Sequence, residues 1–130
     1  MIKDDVQVYG IQPEMVLCHI EIKTIFERHG YSCVITSAIG KQHKKYSLHP
    51  VGYAKDYRTK HIKDSRFGSS RKQKIDALMN DLKTEVPQCD FVFEHEGQAQ
   101  EHIHAEYDPK NDQKFQKNKE LYRKTGTWPN

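Results

Sequence analysis

The chain has 130 residues, 35% of them hydrophobic and 30% charged, with a net charge of +3. That is one domain's worth of polymer, long enough to bury a core without staples. A mean hydropathy of −0.92 and longest apolar runs of only a few residues, such as Met15–Cys18, exclude a membrane-spanning helix, which needs ~20 apolar residues, while the 10% aromatic content argues against disorder.

Pro13 opens a helix and Gly30 closes it, with Met15, Cys18, Ile22, Ile25 and Phe26 at helical spacing over 13–29. Tyr31–Thr36 is β-branched and apolar, a short buried strand. Residues 37–52 hold lysines, histidines, glycines and a proline and read as a long functional loop. In Tyr53–Thr59, Tyr53, Lys55 and Tyr57 face one way and Ala54, Asp56 and Arg58 the other. Ser69 or Ser70 caps a second helix with the stripe Ile75, Leu78, Met79, Leu82, Val86, stopped by Pro87. Cys89–Phe93 and His102–Tyr107 are two more strands about a Gly/Gln-rich turn, and Asp108-Pro109 starts a last helix around Phe115 and Tyr122. The order gives a single α+β domain over 1–130, with helices packed on a small antiparallel sheet.

Cys18, Cys33 and Cys89 are an odd, widely spaced set without a CxxC, so free thiols in a reducing compartment are expected. The N-terminal MIKDDVQVYG has no apolar stretch of the signal-peptide kind. The mild positive charge favours an anionic partner but lacks the clustering of a nucleic-acid binder. Eight histidines hint at metal chemistry.

Two segments concentrate that chemistry: Ser47-Leu-His49-Pro-Val-Gly52-Tyr-Ala54-Lys-Asp56 and Glu101-His102-Ile-His104. A catalytic zinc takes three protein ligands of His or carboxylate type and keeps one position open for water. His49, Asp56 and His104 supply such a set, with Gly52 allowing the turn between the first two and Ala54 keeping bulk away. Glu101, three residues before His104, offers a carboxylate as general base. His102 and His104 lie two apart and share a strand face, so either can ligate. His104 is chosen for its Glu-x-x-His spacing, and His102 becomes a group facing substrate or supporting the ligands. Ser47 either contacts substrate or caps the loop.

The pattern SxHxxGxAxD followed by ExxH resembles the D-Ala-D-Ala peptidase family of zinc peptidases, which includes carboxypeptidases, dipeptidases and phage-type L-Ala-D-Glu endopeptidases and shares its fold with the signalling domain of hedgehog proteins. The resemblance covers about Tyr31 to Asp108, and Thr36-Ser37 and HIHAEYDP also look like the family's segments. It implies Zn²⁺ on His49, Asp56 and His104, with Glu101 taking the proton of the metal-bound water and passing it to the leaving amine. One departure stands out. Many relatives place a substrate-binding arginine shortly after the TS pair, whereas this chain continues Ala38-Ile39-Gly40-Lys41. Lys41, His43 and Arg58 are the candidate replacements. The resulting expectation is a monomeric lysin of the phage type that cuts peptidoglycan peptide stems, made in the cytoplasm and acting on the wall after release, without nucleic-acid binding or membrane insertion. The alternative is a non-catalytic virion or wall-binding protein of the same fold.

Overall fold

A computed structural model describes residues 2–3, 10–38 and 47–129. Helix α1 (Pro13–Arg28) begins with proline at its first turn and buries Met15, Cys18, Ile22, Ile25 and Phe26, the five positions of the sequence stripe. Gly30 adopts φ +85°, which lets Tyr31 N–H bond back to Phe26 O and turn the chain off the helix. That backward bond keeps Tyr31 out of the sheet. Strand β1 is therefore Ile35–Ser37, shorter and later than Tyr31–Thr36, although Val34 O still accepts Arg58 N–H.

Strand β2 (Ala54–Arg58) precedes α2 (Arg71–Glu85), where Ser70 and Gln73 form a reciprocal capping box. Ile75, Leu78, Leu82 and Val86 are fully or almost fully buried, and Met79 packs against them from the margin. Strands β3 (Cys89–Glu94) and β4 (His102–Tyr107) follow. Helix α3 (Gln113–Thr125) starts under an Asp112 cap rather than at Asp108-Pro109. The Asp108 carboxylate is occupied instead as an anchor, accepting from Lys119 at 2.8 Å and from Gln116 at 2.6 Å.

The sheet is antiparallel, in the order β1-β2-β4-β3. Strand alternation divides it into two faces. Tyr57, Phe91, Ile103 and Ala105 join the α1 and α2 stripes in the main core. Asp56, Arg58, Glu94, His102, His104 and Glu106 line a cavity on the other side. A second cluster of Leu48, Tyr53, Ala54, Phe115 and Tyr122, backed by Trp128, ties α3 to the segment entering β2. Cys18, Cys33 and Cys89 are buried and form no disulfide with one another. Among the described residues no helix is long and apolar enough to cross a membrane.

Candidate metal centre

The site is assembled by one turn and two neighbouring strands. His49 N–H donates to Ser47 Oγ at 3.2 Å, so Ser47 caps the turn. Gly52 N–H and Tyr53 N–H bond back to His49 O and Leu48 O. Gly52 is required here twice over. Its φ is +83°, and a Cβ would meet Gly10 O at 2.1 Å, because the segment before α1 is bonded to this turn through Gln12 N–H and Gly52 O. From the turn the chain enters β2, whose register sets Asp56 directly opposite His104 of β4.

His49 Nε2 lies 3.1 Å from Asp56 Oδ1 and 3.3 Å from His104 Nδ1, and His104 Nδ1 lies 2.9 Å from Asp56 Oδ1. These three donors form a group able to hold a metal ion. Donors held 2.0–2.1 Å from a tetrahedral ion stand about 3.3 Å apart, so the observed spacings need only slight spreading to accept one. The surrounding bonds favour the same use. His49 Nδ1–H donates to Ala38 O at 2.5 Å, which leaves the Nε2 lone pair facing the centre. His104 Nε2 faces Glu106 Oε1 at 3.5 Å, a carboxylate behind the ligand.

Electrostatics agree with a cation site. Burial alone would raise the Asp56 pKa, but the hydrogen bond from His104 and the closeness of the His49 and His102 rings hold it well below the usual carboxylate range. Burial opposes protonation of His104, yet Asp56 and Glu106 together raise its pKa to about 9. A proton on His104 thus carries positive charge where a metal would, and metal entry must displace it.

His102 sits outside this tight group. Its Nδ1–H donates to Gln100 O at 2.7 Å, leaving Nε2 at 3.6 Å from Asp56 Oδ1 and 3.4 Å from Glu94 Oε1. Arg58 lines the cavity, as does Ser47. Lys41 and His43 lie outside the described residues. Arg123 of α3 also borders the cavity; only the packing of α3 on the 48–54 segment brings it there, and no local sequence signal marks it.

Glu101 is placed differently from the base expected of the ExxH spacing. Oε1 accepts from Arg71 Nη1–H and Gly97 N–H, both at 3.0 Å, and Oε2 accepts from Thr59 Oγ1–H at 2.5 Å and from Arg71 Nη2–H. A carboxylate offers about four acceptor positions, and all are filled by groups other than the three metal donors. Burial would raise its pKa, but Arg71, Gly97 and Thr59 outweigh that and lower it to about 2. In this arrangement its acceptor positions are occupied by Thr59, Gly97 and Arg71, although the residue borders the same cavity as His102 and His104. A second acidic group, Asp90, Glu106 and Asp108, is countered by Lys110 and Lys119 and reads as an ion-pair network. His19 and His29 serve structure, bonded to Tyr57 Oη and Asp81 Oδ2.

No family model matches the chain, nor does any curated protein or solved structure.

Proposed function

We propose that the chain is a zinc-dependent peptidase that hydrolyses peptide stems of bacterial peptidoglycan, of the L-Ala-D-Glu endopeptidase or D-Ala-D-Ala carboxypeptidase type, with a hedgehog/DD-peptidase-like fold and a lysin-like use. The observation that carries this reading is the convergence of His49 Nε2, Asp56 Oδ1 and His104 Nδ1 within 3.3 Å of one another beside a cavity of about 1270 Å³. The two-imidazole, one-carboxylate set suits zinc, and three protein ligands are what a catalytic rather than a structural zinc keeps. When bound, zinc supplies a Lewis acid for the scissile carbonyl and an acidified water.

The protein's own groups do the rest. Glu106 orients His104 from behind, and the Ala38 carbonyl orients His49. Arg58 and Arg123 bring positive charge to the cavity wall, suited to the carboxylates of a stem peptide. With the Glu101 acceptors filled, we assign proton handling to His102, whose Nδ1–H bonds Gln100 O and whose Nε2 faces Glu94 and Asp56, carboxylates with which it can share a proton. The same filled acceptors favour a second reading, a metal-containing wall-binding protein without a working base.

Peptidoglycan digestion separates the two. Zinc-loaded protein is expected to release new muropeptide ends, whose masses identify the bond, and a chelator is expected to stop this. His102→Ala is expected to lose ~10²–10⁴-fold in rate with its zinc retained. Protein that sediments with walls and yields no new ends establishes the binding reading; zinc-free protein with full activity removes the metal from the reaction.

A further inference from the structure

We propose that Glu101 is a positioning residue: its ion pair with Arg71 locks the end of the β2–β4 ladder and thereby holds Asp56 opposite His104. The inference rests on the metal-site reading above and deepens it. The last rung of that ladder pairs Arg58 with His102. Thr59 directly follows β2 and Glu101 directly precedes β4, and their side chains bond directly. Glu101 stands just before β4 at the margin of the cavity that His102, His104 and Glu106 also line. Its side chain is 2% exposed, and its bonds reach three separate parts of the chain: the residue after β2, the β3–β4 turn at Gly97, and the first residue of α2.

Arg71 is committed just as fully. Besides Glu101, its guanidinium donates from Nε to Ile62 O at 2.8 Å and from Nη2 to Thr59 O at 3.1 Å, while its backbone N–H donates to Asp64. The pair is thus a knot between the start of α2, the exit from β2 and the entry to β4. What it secures is register. A one-residue slip between β2 and β4 would turn one strand's site residues into the core and separate the metal donors. A buried charge pair stripped of one partner leaves the other charge uncompensated, so the knot cannot be cut from one side without disturbing the strand that carries His104.

The test is a double-mutant cycle of Glu101→Gln, Arg71→Met and the double variant in the full chain. It reads melting temperature in chelator and Zn²⁺ affinity at 10 °C by competition with a chelating dye. Each single variant is expected to melt at least about 8 °C lower and to bind zinc roughly ten-fold more weakly. The double variant is expected to be no worse than the poorer single one, and Arg71→Lys to recover part of the zinc affinity. Thr59→Val, which removes a single bond, provides a milder variant if the others do not fold, with a smaller loss in both readouts. Glu101→Gln that melts and binds zinc as the wild type does, as expected of a base, overturns the proposal; so does strict additivity of the two single variants. Wild-type protein that binds no zinc removes the metal-site reading, and the melting cycle alone then decides whether the pair locks the strands.

Discussion

His49, Asp56 and His104 act as a unit because each supplies one atom to the same point, and the two imidazoles are aimed from behind by Ala38 O and Glu106. Removing any one leaves two donors, too few to hold the ion. His49→Ala, Asp56→Ala and His104→Ala are each expected to weaken zinc binding by more than about 100-fold, and Glu106→Gln by roughly 10–100-fold through the lost support behind His104. His102→Ala is expected to keep zinc affinity within a few-fold of wild type, since Nε2 of His102 stands apart from the three-atom cluster. Metal analysis showing His102→Ala empty and His104→Ala full would exchange the two histidines. At this same scale the Glu101 carboxylate is held by Thr59, Gly97 and Arg71 rather than by the metal donors. Glu101 directly precedes β4 and borders the same cavity as His104, while His104 faces the metal donors.

At the scale of elements, the turn from His49 to Gly52 is the least replaceable part. It sets His49 over β2, and it is clamped by the segment leading into α1 through Gln12 N–H to Gly52 O and Gln12 Nε2–H to Val51 O. Gly52→Ala combines a left-handed backbone with a Cβ at 2.1 Å from a carbonyl oxygen, and backbone cannot yield as a side-chain tip can. It is expected to lose at least about 2–3 kcal/mol of stability, measured as a lower denaturant midpoint, together with zinc affinity. A Gly52→Ala protein matching wild type in both would show that the clamp is not needed. Helix α3 supports the turn from the other side, with Tyr122 Oη–H donating to Ser47 O at 2.8 Å.

For the whole molecule the buried carboxylates set the acid limit. Glu101 has its pKa lowered from 4.5 to about 2 in the folded chain. Burial would raise the Asp108 pKa, but Lys110, Lys119 and Gln116 hold it below the ordinary carboxylate value. A depressed carboxylate binds fewer protons folded than unfolded, so its contribution is complete above its unfolded pKa and is lost as pH falls through the folded one. Stability of the metal-free protein is expected to decline from about pH 4.5 towards pH 2, with Glu101 responsible for on the order of 3 kcal/mol of the change. Urea unfolding across that range checks it. Glu101→Gln should start less stable and show a shallower decline, and an unchanged slope would remove Glu101 from the acid limit.

Periodicity alone determined which residues face the core. The α1 stripe and most of the α2 stripe lie inside as their helical spacing requires, and the alternation of β2 and β4 puts Asp56 on one side and Ile103 on the other. The motif spacing also brought forward His49, Asp56 and His104 as a metal-ligand set. These are local properties, carried by residues a few positions apart within each segment, His49 to Asp56 in one and Glu101 to His104 in the other. The tertiary structure decided the remainder: that Asp56 pairs across from His104, that Glu106 backs His104, and that Arg71, thirty positions before Glu101, fills the acceptors of the expected base. It also moved the start of α3 from Asp108 to Gln113, because Lys119 and Gln116 claim the Asp108 carboxylate. Each of these depends on strand register or on the docking of distant segments, and a side chain's partner across such a contact is set by which backbones pair rather than by its neighbours in the chain.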